Sequence, residues 1–182
     1  MSTVGVIILI VAILIAAALA AYAWRKERSK KLRARFGPEY EHAVREYGNR
    51  DKAEQALANR QSRMEKVHIQ PLSPAERDRF SADWTRVQTM FVDDPAGSIH
   101  AADQLVCDAM RARGYPMTDF ERRAEDLSVD HPLVVKNYRS AHDIALLSER
   151  KEATTEDLRR GLVYYRDLFD ELLEVHAGEM RR

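Results

Sequence analysis

Three side chains of metal-ligating type recur at helical spacing in one segment of the chain. His100, Asp103 and Cys107 stand at positions i, i+3 and i+7, which places them on one face of a helix. A structural zinc site needs about four ligands in a tetrahedron, and many of these sites are rich in thiolates. The sequence has one cysteine, and no spacing points to a fourth ligand. We therefore expect no metal here and interpret this face as polar and solvated.

The same cysteine is a candidate nucleophile, with His131 or His142 as its base. A nucleophilic cysteine needs a base within hydrogen-bonding distance and donors that stabilise the oxyanion. Cys107 falls in the middle of a predicted helix, and no glycine-rich turn surrounds it. We interpret it as a thiol at the edge of the core. An enzyme or ligand-binding bundle that uses these side chains is kept as an alternative.

Asp130-His131-Pro132 also invites a catalytic interpretation. An aspartate followed by proline is typical of a helix start, so we expect Asp130 to cap a new helix and His131 to be exposed. We interpret His142, one turn after Tyr138, as a partly buried histidine. No phosphate loop, dinucleotide fingerprint, HExxH or GxSxG motif occurs in the sequence. We expect a non-catalytic protein with no cofactor.

The N-terminal segment gives the strongest signal about placement. Residues 4–23 are twenty positions without a charge, and a helix of that length spans about 30 Å, the thickness of a bilayer's hydrocarbon core. We predict a transmembrane anchor over residues 1–24. A cleaved secretory signal, with Ala21-Tyr22-Ala23 as its cleavage site, is the alternative. Such a signal begins with positive charge, and no lysine or arginine precedes this apolar stretch.

A basic segment follows the apolar one directly. Residues 25–35 carry seven basic residues and one acidic residue, whereas residues 70–182 carry 16 basic and 22 acidic residues. Anionic headgroups attract such a basic collar, and the positive-inside rule puts residues 25–182 in the cytoplasm. Without interleaved aromatic residues or a recognition motif, we expect no nucleic-acid binding. The predicted membrane-surface residues are Tyr22, Trp24, Arg25, Lys26, Arg28, Lys30, Lys31, Arg33 and Arg35.

Residues 36–69 are predicted to form a charged helical stalk. Pro38 suits the first position of a helix, and Gly48-Asn49 can interrupt it. The apolar residues of this stretch are sparse, which favours a spacer or a weak coiled coil over a core element. We therefore expect at most a weak homo-oligomer through the stalk.

Residues 70–177 carry strong helix signals, and residues 178–182 are predicted to be a tail. No run of residues alternates with a period of two, so we expect an all-α fold without strands. Five helices are predicted, each with one apolar stripe, and they would pack into a bundle. Their predicted start or stop signals are Ser73-Pro74-Ala75-Glu76, Asp94-Pro95, Gly114, Thr118-Asp119-Phe120-Glu121, Asp130 and Thr154.

Three segments carry a resemblance to known proteins: FGPEY at 36–40, RARGYPMTDFERRAEDLSVDHPLVVKNYRSAHDIA at 111–145 and YYRDLFDELL at 164–173. From the first of these through the last, the chain resembles a family of uncharacterised bacterial single-pass membrane or secreted proteins with a helical C-terminal domain. The resemblance implies the same layout of an apolar segment followed by helices. The family has no assigned activity, cofactor or partner, so the resemblance assigns no functional residue.

The sequence therefore favours a membrane-anchored interaction or scaffold module that meets a protein partner not identified by sequence. Export of the chain, as a soluble or a tethered protein, is the alternative. Labelling of a cysteine placed at Ser128 with an impermeant reagent would decide the compartment. We also expect residues 70–177 to fold alone as a soluble monomer, because the capping signals and stripes lie within that segment and its charge is negative.

Overall fold

The chain is helical throughout its described part. The computed structural model describes the backbone of residues 3–173 and side chains from Leu9 onward, so the predicted tail at 178–182 lies outside it. Eight α-helices and no strand occur in that part, which confirms the all-α prediction. The helices are α1 (Thr3–Phe36), α2 (Pro38–Tyr47), α3 (Arg50–Met64), α4 (Pro74–Met90), α5 (Pro95–Arg113), α6 (Phe120–Asp130), α7 (Val135–Glu149) and α8 (Thr155–Leu173).

Helix α1 joins the apolar segment to the basic collar without a break. Its stretch Leu9–Phe36 is long and apolar enough to cross a membrane, and its apolar window is not buried inside the protein. At its other end Leu32 and Phe36 are buried, with 6% and 0% of their surface exposed. Gly37, with a φ of 47°, then turns the chain into α2. This helix is therefore exposed over residues 9–27 and contributes to the core at its end.

Helices α2 and α3 form a hairpin that packs into the core. Gly48 ends α2 in the left-handed conformation, and the Asn49 side chain caps α3 by accepting from the backbone N–H of Asp51 at 2.8 Å. This confirms the predicted interruption. The expectation that residues 38–66 form no core element is wrong, because Tyr40 and Leu57 are fully buried. Alanines and a buried arginine occupy several of the buried positions of the hairpin. A count of large apolar residues therefore underestimates how much of its surface is buried.

Local capping signals predict most of the remaining helix ends correctly. Ser73 and Glu76 form the expected capping box at α4, and Gly114 ends α5 in the left-handed conformation. Asp94 and Thr154 also cap α5 and α8, because their side chains accept hydrogen bonds from the backbone N–H groups of Gly97 and Asp157. The predicted box at Thr118 is wrong, because the Asp119 carboxylate accepts from the N–H of Arg122 and caps α6. Asp119 competes successfully because aspartate is at least as good a cap as threonine.

Aromatic contacts fix the packing of α8 against its neighbours. Phe169 stacks on Trp84 of α4 with ring centroids 4.7 Å apart, and meets Phe80 edge-on at 6.5 Å. Tyr165 contacts Tyr138 of α7 with centroids 6.4 Å apart. The same continuous cluster of buried residues includes Leu32, Phe36, Tyr40 and Leu57 from the first three helices. The core thus extends beyond the five helices predicted to form it.

Two glycines provide a matched test of backbone strain. Gly114 has a φ of 92°, and a Cβ added to it would lie 2.6 Å from the carbonyl oxygen of His68. Gly48 has a φ of 63°, and its Cβ would meet nothing within 4 Å. Gly48→Ala is expected to cost about 1 kcal/mol of unfolding free energy, the penalty for the left-handed conformation alone. Gly114→Ala should cost clearly more in denaturant titrations, and equal losses would contradict the placement of the His68 loop.

Candidate functional site

The predicted membrane-surface residues lie along α1, where the apolar stretch gives way to charge. Tyr22 and Trp24 expose 66% and 65% of their surfaces, and the Arg28 guanidinium lies 5.7 Å from the centre of the Trp24 ring. Lys26, Lys30 and Lys31 also point to solvent. Their contact with lipid headgroups stays a prediction.

The opposite side of the collar packs on α2, which the sequence analysis missed. Ser29 Oγ lies 3.3 Å from the Tyr40 hydroxyl, next to the buried Leu32. Arg33 donates to Glu41 across 2.9 Å, and its guanidinium lies 5.0 Å from the centre of the Tyr40 ring. Leu32 and Phe36 lie one helical turn apart in an otherwise charged segment. This apolar pair is the sequence feature that could have predicted the contact. The collar is thus a docked helix rather than a free basic segment.

Helix α1 runs beside α3 in the same direction. Trp24 lines a cleft with Asp51, and at the other end Arg35 lines a cleft with Gln61. Asp51 stands 27 positions after Trp24, and Gln61 stands 26 positions after Arg35. The nearly constant offset means that the beginning of α3 lies at the level of Tyr22 and Trp24. The end of α3 lies about 20 Å further along the same direction.

A buried ionic network joins the α2–α3 hairpin to the other helices. Arg60 of α3 is 1% exposed, and it donates to Glu39 Oε1 at 2.9 Å and to Glu125 Oε1 at 3.2 Å. Arg139 of α7 donates to the same Glu39 oxygen at 3.0 Å. Because an unpaired buried charge is costly, each member depends on partners from another helix.

A second part of the network lies beside the first. Arg63 donates to Asp126 Oδ1 at 2.8 and 2.6 Å from two nitrogens, and to Glu125 at 3.2 Å. Asp126 is only 1% exposed. Helix α6 is therefore held to α3 by charge-assisted hydrogen bonds. We interpret the network as structural, since its positive and negative groups neutralise one another.

The candidate metal-ligating face is only partly solvated, so that expectation needs correction. His100 is exposed as expected, but Cys107 is buried and the Asp103 carboxylate accepts from the Tyr165 hydroxyl at 2.9 Å. Helices α7 and α8 pack on this part of α5. The spacing of residues along α5 alone does not predict that packing. Among the described residues, no group of three or more metal-ligating side chains converges.

The candidate catalytic residues lie in different surroundings. Burial raises the pKa of the Cys107 thiol, and the Asp103 carboxylate raises it further, so the thiol is protonated at neutral pH. His142 stacks on Phe120 with ring centroids 3.5 Å apart, in a cleft between α5 and α7. His131 instead lines the cleft near Arg35. This arrangement supplies no activated nucleophile.

The expectation for Asp130-His131-Pro132 is wrong. Asp130 ends α6, and the His131 N–H donates to the carbonyl of Leu127 at 2.9 Å. His131 is 5% exposed, and the next helix begins only at Val135. A residue before proline disfavours the helical conformation, which explains why the helix stops at this point. The sequence Asp130-His131-Pro132 is compatible with either the start or the end of a helix. In the folded protein it forms the end of α6.

The surroundings of His131 predict a pH dependence of stability. Burial lowers its pKa, the Arg113 guanidinium lowers it further, and Glu171, 3.3 Å from Nδ1, opposes the shift. The unfolded state therefore binds a proton more readily than the folded state below about pH 6.5. Unfolding free energy should fall as the pH drops through that range. His131→Gln should flatten this slope in denaturant titrations, whereas exchange of the exposed His100 should leave it unchanged; an unaltered slope in His131→Gln contradicts the assignment.

Comparison with protein-family models, curated proteins and solved structures found no match to this chain. The resemblance of its three segments to bacterial membrane proteins therefore stays a prediction. Functional conclusions depend on the geometry of the chain itself.

Proposed function

We propose that this protein is a membrane-tethered, non-catalytic interaction module whose folded domain lies on the cytoplasmic side of the cell membrane. The observation that carries the proposal is the continuity of α1. The exposed apolar part of this helix has the length of a membrane span, and Leu32 and Phe36 of its last turns are buried in the domain. The anchor therefore holds the domain at the bilayer surface without a flexible linker.

Charge and burial support this proposal. The basic collar suits anionic headgroups, and the acidic remainder of the chain suits a protein partner with a basic surface. The protonated, buried Cys107 argues against nucleophilic catalysis. Tyr40 and Leu57, which would have supported self-association through the predicted stalk, lie in the chain's own core. These side chains are therefore not available for self-association through residues 36–69.

Membrane integration and orientation can be tested together in cells. Ser128 is fully buried, so a cysteine there cannot report on the compartment. Gln104→Cys places the thiol on the exposed face of α5 instead. The full chain should resist alkaline carbonate extraction, and Gln104→Cys should react with an impermeant maleimide only after permeabilisation. The wild-type chain is the control, since its buried Cys107 should react slowly in both states.

Two other results would overturn the proposal. Labelling of Gln104→Cys in intact cells would place the domain outside, and carbonate extraction of a shortened chain would indicate a cleaved signal. The collar offers a further check, because its charges should set the orientation. Neutral replacements there should weaken or invert the orientation, and an unaffected orientation would contradict this role. The replaced residues are Arg25, Lys26, Arg28, Lys30 and Lys31.

A further inference from the structure

The turn between α2 and α3 is placed where a bilayer surface would meet it. The offset of 27 positions between Trp24 and Asp51 puts Asn49 at the level of Tyr22, the end of the uncharged stretch. Arg28 also lines the cleft beside Glu54 and Gln55, so the parallel course holds through the following turns. The turn thus lies beside the point where α1 would leave the hydrocarbon.

The exposed basic side chains at this turn suit an anionic surface. Arg50 and Lys52 are exposed at the start of α3, and basic side chains near a bilayer attract anionic lipids. The nearby Tyr47 does not contribute, because it lines a cleft with Glu125 and its hydroxyl bonds the buried Arg60. Arg50 and Lys52 thus repeat the charge of the collar on a second element.

Two of the carboxylates near the turn are engaged within the protein, whereas Asp51 is exposed between Arg50 and Lys52, so these three residues carry one net positive charge. Glu54 accepts a hydrogen bond from the Tyr40 hydroxyl at 2.7 Å, and Glu46 lies 3.7 Å from the buried Arg60 and 3.8 Å from His42. Neither Arg50 nor Lys52 belongs to the ion pairs at this end of the described structure. The positive side chains of the turn are therefore available to an external anionic surface.

We infer that Arg50 and Lys52 form a second contact with the bilayer, which binds the anionic headgroups of the leaflet that α1 enters. This inference rests on the proposed membrane anchorage. The hairpin is fixed to the bundle by the Arg60 and Arg63 networks, so a contact at its turn would set the orientation of the whole domain. A single helix would leave the domain free to rotate about the helix axis, whereas two contacts would not.

Collisional quenching in reconstituted vesicles tests the placement. The full chain carries a fluorophore at Asp51→Cys, which keeps both basic side chains, or, as a control on the same helix, at the exposed Ser62→Cys. Position 62 lies about 16 Å further from the bilayer in the inferred orientation. A headgroup-attached spin label should quench the fluorophore at position 51 severalfold more strongly than at position 62. Equal quenching at the two positions would overturn the inference.

Two lysines at opposite ends of α3 test the role of charge. Lys52→Gln removes a charge at the turn, whereas Lys66→Gln removes one just beyond the distal end; both side chains are exposed. In vesicles that contain phosphatidylglycerol, Lys52→Gln should reduce quenching at position 51 and Lys66→Gln should not. In vesicles of phosphatidylcholine alone, the two variants should behave alike. Equal effects of the two substitutions in the anionic vesicles would overturn the electrostatic contact.

Carbonate extraction of the same samples separates the two proposals. Chain that stays in the membrane without quenching at position 51 would contradict the second contact and leave the anchor standing. Chain released by carbonate would contradict the anchor, and the second contact with it. Thermal unfolding of each labelled variant should match the wild type, which shows that the labels report on an intact fold.

Discussion

Deletion of residues 1–69 should abolish cooperative thermal unfolding of the remaining chain, whereas deletion of residues 1–24 should preserve it. The first 69 residues contribute several fully or nearly buried side chains to the core. Burial of each large apolar side chain contributes about 1.5–3 kcal/mol, and whole domains are stable by only about 5–15 kcal/mol. The buried side chains lost are Leu32, Phe36, Tyr40, Ala43, Ala53, Leu57 and Met64.

The same deletion removes the partners of buried charges. Asp126 is 1% exposed and bonds Arg63 of α3, so the deletion removes both the partner of its carboxylate and the helix that α6 packs on. This expectation replaces the one from the sequence, in which residues 70–177 fold alone. Calorimetry or circular dichroism on the two truncated chains provides the comparison. Equal melting temperatures for both would show that the first three helices are dispensable for the core.

Arg60→Met should destabilise the protein by about 3–5 kcal/mol, because it leaves buried carboxylates without their main partner. Glu39 is 3% exposed, and only Arg139 would then remain on its Oε1 atom. Methionine keeps much of the side-chain volume, so the loss reports on charge rather than on a cavity. Denaturant titration with a fixed m-value measures the change.

A surface pair supplies the matched control. Arg159 donates to Glu156 on the exposed side of α8 at 2.8 and 2.6 Å, a geometry as close as that of the buried pairs. Exposed pairs contribute little because solvent screens them, so Arg159→Met should leave the unfolding free energy nearly unchanged. Glu39→Gln in the Arg60→Met background should recover part of the loss. A similar cost for both arginines, or no recovery, would contradict the structural role of the network.

The parts of the fold that depend on short-range chemistry were predictable from the sequence. The Ser73–Glu76 box and the Gly114 cap involve residues at most a few positions apart, and their types determine the backbone they favour. The apolar segment and the collar were likewise visible as runs of one chemistry. Such signals establish helix boundaries and the order of the elements, but they do not show which helices meet.

The docking of the first three helices was not predictable in the same way. Glu39 and Arg139 are 100 positions apart, and Arg60 and Glu125 are 65 apart. A hydrophobic pattern treats charged residues as solvent-facing. Because Arg60 is charged but buried, the pattern did not identify the buried face of α3. The predicted exposure of His131 is wrong for a related reason, since its burial depends on helices that are distant in sequence. The packing of the collar on α2 and α3 likewise depends on such contacts, so the sequence did not predict it.

Backbone hydrogen exchange across residues 24–36, in the full chain reconstituted in bilayers, tests the central claim most directly. If α1 joins the membrane and the domain as one helix, amides from Trp24 to Phe36 should all be strongly protected, with Leu32 and Phe36 as slow as the core of α8. Fast exchange between Trp24 and Ser29 would reveal a hinge between the anchor and the domain, and it would contradict the account.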